Sequence, residues 1–144
     1  MKNIFYTSVV SFFVFCYAEP TFSLVERNQT TAYQKHFFDK VYQFSNHNRF
    51  NTGNINRDKY TNCYMQVGIE VSIAADGHIK HLSVKEPSPI PIINRYFHYI
   101  VNQAAPFDPL KKYYGDELNQ LTIFKQFRLN IPLHENSSVS EPCG

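Results

Sequence analysis

Residues 65–73, MQVGIEVSI, alternate strictly between apolar side chains and other residues. Period two with one polar face predicts a strand that covers a core from one side. The turn ADG at 75–77 follows, and its Asp and Gly tolerate the positive φ that tight hairpins need. In the return strand, residues 78–85, the step from Ile79 to Leu82 breaks the alternation by one residue, which predicts a β-bulge just after the turn. The apolar positions of this hairpin are Met65, Val67, Ile69, Val71, Ile73, Ile79, Leu82 and Val84.

Helical spacing of apolar residues appears on both sides of the hairpin. Residues 32–44, AYQKHFFDKVYQF, predict an amphipathic helix that Thr30 or Thr31 can cap. A second helix follows the prolines of residues 86–91 and ends at Pro106, since proline stops both strands and helices. Phe38 and Tyr42 widen the apolar stripe of the first helix. The positions predicted to face the core are Tyr33, Phe37, Val41 and Phe44 in the first helix and Ile93, Phe97, Ile100, Val101 and Ala104 in the second.

A polar loop, KKYYGDELNQ, leads to the last predicted strand, residues 121–131. Its apolar residues fall on one face, which Lys125 interrupts. The order helix, strand, strand, helix, strand predicts an α+β fold in a chain whose 144 residues allow one domain. We place the domain at residues 32–133 and a flexible polar tail at residues 134–144. The apolar face of the last strand consists of Leu121, Ile123, Phe127, Leu129 and Ile131.

The first 18 residues, MKNIFYTSVVSFFVFCYA, have the parts of a secretory signal peptide. Lys2 supplies the positive charge, residues 4–15 form a short apolar run, and Ala18 offers a small residue for cleavage before Glu19. An uncleaved signal anchor and a lipoprotein modified at Cys16 are the alternatives. Cleavage would leave a polar lead-in, residues 19–31, before the domain.

Removal of the signal peptide leaves two cysteines, Cys63 and Cys143. An even count in an oxidising compartment is consistent with a disulfide, which would close a loop of roughly 80 residues and stabilise the fold by about 4–5 kcal/mol in the chain-entropy model. The alternative is that Cys143, the penultimate residue, lies in a mobile tail.

The net charge and the absence of known catalytic or metal-binding motifs exclude several classes of function. The formal net charge is +2 without a basic run, which predicts neither a nucleic-acid partner nor a membrane surface. His78 and His81 are three apart on a strand and therefore point to opposite faces, so they do not clamp one metal ion. We find no phosphate loop, nucleophile elbow or zinc motif. The sequence therefore predicts no catalysis, no metal, no cofactor and no small-molecule substrate.

Three pieces of the segment 67–131 resemble the C-terminal domains of the TonB and TolA proteins of Gram-negative envelopes. The alternating strand that ends in ADG is the first, and the spacing Gly77, Ile79, Leu82, Val84, similar to the family's G-x-V-x-x-V-x-V, is the second. The third is AAPFDPL at 104–110, similar to A-[AS]-P-F-x-P-[LF]. A closing strand with Phe124 and Phe127 near its middle also fits.

The resemblance implies a three-stranded antiparallel sheet with helices on one face, the first strand central and the others at the edges. It also implies binding of an extended segment from an envelope or secretion-system protein in the periplasm, by strand addition to an edge. We expect this edge to be the last strand, with Lys125 and Arg128 attracting an acidic segment. A small secreted effector or inhibitor with this fold is the second hypothesis, and a hydrolase of unseen mechanism the third. The residues predicted to bind the partner are Leu121, Ile123, Lys125, Phe127, Arg128 and Leu129.

Overall fold

A computed structural model describes residues 32–134 and 137–143 of the protein. The predicted signal peptide, its cleavage site, the polar lead-in and the capping threonines lie outside the described residues. Residues 32–35 belong to one compact unit and residues 36–143 to a second. All contacts described below are within the second unit.

The order of elements confirms the predicted α+β fold, with a three-stranded antiparallel sheet. Helix α1, residues 32–47, extends three residues beyond its predicted end, where Ser45 and Asn48 bond backbone carbonyls three and four residues back. The elements that follow are a 3₁₀ turn at Thr52–Asn54, strand β1 at Cys63–Ala74, strand β2 at Ile79–Glu86, helix α2 at Pro91–Ala104, the short helix α3 at Lys111–Tyr114 and strand β3 at Gln120–Ile131.

Helix α3 lies where the sequence predicted a polar loop, and that prediction was wrong. The backbone N–H groups of Tyr113 and Tyr114 both donate to the Leu110 carbonyl, which closes a helical turn. Leu110 is fully buried and fixes the start of this turn, while Lys112 bonds Asp108 one turn back. A single turn of this length has no apolar periodicity, so the pattern could not reveal it.

Strand β1 is central, and the strands lie in the order β2-β1-β3. The β1–β3 register runs without interruption from Cys63↔Ile131 to Ala74↔Gln120. The β1–β2 register shifts twice, because Lys80 and Lys85 have no partner of their own in β1. The shift at Lys80, next to the turn, is the bulge that the spacing of Ile79 and Leu82 predicted.

The buried side chains follow the predicted periodicities. The inward positions of β1 are at most 2% exposed from Met65 to Ile73, and those of α2 are buried throughout. Phe127 of β3 contacts both main helices: its ring stacks on Phe97 of α2 at 5.4 Å and on Phe38 of α1 at 6.3 Å between centroids. Both helices therefore contact the same face of the sheet.

The hairpin turn and the AAPFDPL segment bind each other. Phe107 N donates to Gly77 O and Leu110 N donates to Ala75 O, both at 2.9 Å. Gly77 has a φ of 92°, and a Cβ there would lie 2.0 Å from the Phe107 carbonyl oxygen, so only glycine fits. Two of the pieces that carry the family resemblance thus form one contact.

The C-terminal residues return to the start of β1. Cys143 forms a disulfide with Cys63, at a sequence separation of 80. Tyr64 N donates to Glu141 O and Cys143 N donates to Tyr64 O, so Pro142 forms a parallel bridge with Tyr64. This bridge lies beyond the end of β2, on the side of β1 that faces away from β3.

Candidate docking edge and groove

The outer edge of β3 is the longest regular strand edge in the described residues. The backbone N–H groups of Ala74 and Tyr64 donate to His78 and Glu141, on the side of β1 away from β3. The backbone N–H and C=O groups of even-numbered β1 residues therefore face away from β3, and those of odd-numbered residues face β3. Because the β1–β3 register is unbroken, odd-numbered residues of β3 bond β1 and even-numbered ones direct N–H and C=O outward. No strand of residues 32–134 and 137–143 pairs with these outward groups. The outward residues are Gln120, Thr122, Phe124, Gln126, Arg128 and Asn130.

The structure separates the six predicted partner-binding residues into two sets. Leu121, Ile123, Lys125, Phe127 and Leu129 are odd-numbered: their backbone groups bond β1, and their side chains lie on the helix face. Ile123 and Phe127 are buried in the core. Only Arg128 offers outward backbone groups. The pattern of apolar residues identified the strand, but backbone direction depends on the register, which the pattern does not contain.

An apolar groove of about 390 Å³ lies beside this edge. It is formed where α1 and α2 meet the inward side chains of β3, with Phe97 and Phe127 among its buried lining residues. Phe38 and Tyr42, its α1 side, are 39% and 58% exposed and stack on each other. A side chain that enters from the edge of β3 would therefore contact aromatic rings on both sides.

The two cations that were predicted to attract a partner lie on opposite faces of the sheet. Lys125 lines the groove, and its Nζ lies 4.9 Å from the centroid of the Phe38 ring. It forms no ion pair with a carboxylate of the described residues. Arg128 lies on the other face, where its guanidinium covers the Tyr64 ring and donates to the Val139 carbonyl. Lys125 is thus available to a partner, whereas Arg128 holds the C-terminal segment.

On the polar face of the sheet, Phe124 crosses the neighbouring strand at Gly68. A Cβ at Gly68 would lie 2.8 Å from Phe124 Cζ and 2.8 Å from Glu86 Cβ. Gln126 Nε2 donates to Glu86 Oε2 at 2.6 Å across the same glycine. Aromatic cover of a strand glycine fixes register. Phe124 remains 47% exposed, directly beside the open edge.

The best-defined cluster of titratable groups joins α1 to the AAPFDPL segment. The Asp108 backbone N–H donates to Nε2 of His36 at 3.0 Å, which requires a neutral imidazole. Burial lowers the pKa of His36, although the nearby Asp108 carboxylate opposes the shift. The hydrogen bond from Lys112 lowers the pKa of Asp108. This carboxylate also accepts from Tyr113, so the cluster pairs its own charges.

Within residues 32–134 and 137–143, no three His, Cys, Asp or Glu side chains are close enough to hold a metal ion. No helix in the same ranges is long and apolar enough to cross a membrane. No family model, curated protein or solved structure matches the chain.

Proposed function

We propose that this protein is a non-catalytic interaction module of the cell envelope, similar to the C-terminal domains of TonB and TolA. It binds an extended segment of an envelope or secretion-system protein as a fourth strand on β3. The observation that carries the proposal is the 12-residue β3 edge, whose outward amides have no strand partner in the described residues and which borders an apolar groove. Main-chain hydrogen bonds would supply affinity, and the groove would supply specificity.

The two edges of the sheet differ in a way that favours β3. Bulges and lysines are devices that protect an edge strand from pairing. Strand β2 has both, because its two register shifts lie at Lys80 and Lys85. Strand β3 also carries a lysine, Lys125, which faces the groove, but it has no register shift, so its edge is the more regular of the two. A partner strand therefore meets a regular row of donors and acceptors on β3 alone.

The groove defines the chemistry of the partner segment. Alternate side chains of an added strand point to the helix face, so one of them would enter the groove that Phe38 and Phe127 line. An apolar side chain fits this lining. An acidic residue beside it would pair with Lys125, whose ammonium lacks a carboxylate in the described residues. The partner is thus an extended segment with an apolar residue and a neighbouring acid.

The proposal places the domain in the periplasm, and it is supported by the resemblance of residues 1–18 to a secretory signal peptide. Mature protein purified from its own cell should begin at Glu19 by intact mass. A mass that includes residues 1–18 would indicate an anchored form, and the domain would then face the periplasm from the membrane.

Hydrogen exchange on the mature chain tests whether the edge is open. We expect fast exchange at the amides of Thr122, Phe124 and Gln126 and slow exchange at Ile123 and Lys125, whose N–H groups bond β1. Slow exchange at both sets would mean that another part of the chain already covers the edge.

A matched pair of variants tests whether the edge binds. Gln126→Ala and Gln126→Pro both remove the contact with Glu86, but only proline removes the outward N–H. An envelope protein that binds the mature domain should also bind the alanine variant, and it should not bind the proline variant. Equal binding to both variants would exclude strand addition at this position.

A further inference from the structure

A second recess lies between the loop after α1 and the outer face of α2, away from the β3 edge. It is a shallow, open recess of about 440 Å³. Ile92, Arg95, Tyr96 and Tyr99 form one wall, because residues three and four apart share a face of a helix. Residues 48–51 and Asn54 form the other wall.

Every charged residue that lines this recess is a cation. Arg49 and Arg95 form no ion pair with a carboxylate of residues 32–134 and 137–143. Both arginines are exposed, and they line one recess. An anion would supply the missing acceptor, because arginine binds carboxylates and phosphates through two parallel hydrogen bonds.

The polar groups around the arginines include both donors and acceptors. The Asn51 Oδ1 atom already accepts from Gly53 N, and its NH₂ group remains a donor. The Tyr96 hydroxyl donates to Asn48 O, so its oxygen remains an acceptor. Ligand hydroxyl groups, which both donate and accept, match this mixed set, and a carboxylate or phosphate matches the arginines.

The aromatic residues of the recess provide flat apolar surfaces in a fixed arrangement. Phe50 packs edge-on against Tyr96, with centroids 5.1 Å apart at 66°. Tyr99, one turn further along α2, is 50% exposed. Exposed aromatic faces carry partial negative charge that attracts C–H groups, and they suit the apolar face of a sugar ring.

From these features we infer that the recess binds an anionic saccharide, a sugar ring that carries a carboxylate or a phosphate. Arg49 and Arg95 hold the oxyanion, Asn51 and Asn54 bond hydroxyl groups, and Tyr99 stacks on the ring. Two cations in a chain of net charge +2 are too few for the extended phosphate contacts of nucleic acid. The inference does not rest on the proposed docking at β3, and the two are tested separately.

Titration of ¹⁵N-labelled mature protein with single sugars tests this site. Glucuronic acid and glucose 1-phosphate are the anionic probes, and glucose is the neutral one. We expect amide shifts confined to residues 48–54 and 92–99 with an anionic sugar and none with glucose. The tighter of the two anionic probes identifies the carboxylate or the phosphate as the preferred group. Absence of shifts with both, or equal shifts with glucose, would overturn the inference.

Variants separate a saccharide site from a general affinity for anions. The double variant Arg49→Gln/Arg95→Gln should weaken the bound probe about tenfold or more, since hydrogen bonds to charged groups are lost. Lys80→Gln/Lys85→Gln removes the same net charge on β2 and should leave binding unchanged. Tyr99→Ala should weaken the sugar but not inorganic phosphate. If inorganic phosphate binds the native protein as tightly as glucose 1-phosphate, the ring contributes nothing and the inference fails.

Discussion

The guanidinium of Arg128 lies over the ring of Tyr64, with Cζ 3.6 Å from the ring centroid. The same guanidinium donates to the Val139 carbonyl and, through Nε, to Asn130 Oδ1 at 2.8 Å. A residue of the last strand thus links the central strand to the C-terminal segment. The charged group of Arg128 therefore contacts other residues of the same domain.

Replacement of Arg128 should therefore change stability. Arg128→Gln removes a cation–π contact and two hydrogen bonds of an exposed side chain, so we expect the free energy of unfolding to fall by about 1–2 kcal/mol in urea titrations followed by circular dichroism. Arg95→Gln is the control, because Arg95 has no carboxylate partner in the described residues, and it should change the value by less than about 0.5 kcal/mol. Equal effects of the two variants would mean that the Arg128 contacts do not stabilise the fold.

Gly77→Ala tests the contact between the hairpin turn and the AAPFDPL segment. The added Cβ would lie 2.0 Å from a backbone oxygen, so the hydrogen bond from Phe107 N to Gly77 O should break. We expect a loss of about 3 kcal/mol or more from backbone strain and clash together. Gly115→Ala, also at positive φ but with open space around it, should lose only about 1–3 kcal/mol. A similar loss for both would show that the close approach to Phe107 costs nothing.

The disulfide should be visible in the mature protein. Cys63 and Cys143 should resist thiol labelling, and reduction should slow the protein on a denaturing gel. Cys143→Ser should lower the free energy of unfolding by about 4–5 kcal/mol in the chain-entropy model. The double variant that also replaces Cys63 should lose little more, because either single substitution already breaks the bond. Additive losses would mean that the two cysteines act independently.

Stability should depend on pH through His36. Burial lowers its pKa below the ordinary value of 6.5, so the folded state favours the neutral ring that accepts from Asp108 N. The contribution is complete above pH 6.5 and is lost as the pH falls through the lowered pKa. Lys40 and Lys112 favour the neutral form, and Asp108 and Asp39 oppose it.

Thermal melts of native protein and of His36→Phe between pH 7 and pH 5 isolate this residue from the other histidines. The native protein should lose more stability over this range than the variant. Asp108 contributes a separate loss of stability, because its pKa is lowered from the ordinary value of 3.8. That loss occurs as the pH falls below 3.8, outside the range measured. If melting temperature depends on pH in the same way for the two proteins, His36 has the same pKa in the folded and unfolded states.

Periodicity predicted the hairpin, the second helix and the last strand, because each buries one face and therefore repeats every 2 or 3.6 residues. The spacing of Ile79 and Leu82 was enough to predict a bulge. Parity of cysteines singled out Cys63 and Cys143 but left their pairing open. Features that depend on the register or on tertiary contacts could not be predicted from the periodicity. The outward direction of the even-numbered β3 amides depends on the register. The hydrogen bond from Arg128 to Val139 and the contact of Lys125 with the Phe38 ring depend on tertiary contacts.

Two bulges in β2 and none in β3 leave the sheet with one irregular edge and one regular edge. If two copies paired through their β3 edges, the interface would be self-complementary, and the resulting six-stranded sheet would have a bulged β2 at both ends. Neither end would template a further strand, so assembly would stop at the dimer. Such a dimer in concentrated protein would hide the docking edge, and dilution would expose the edge again.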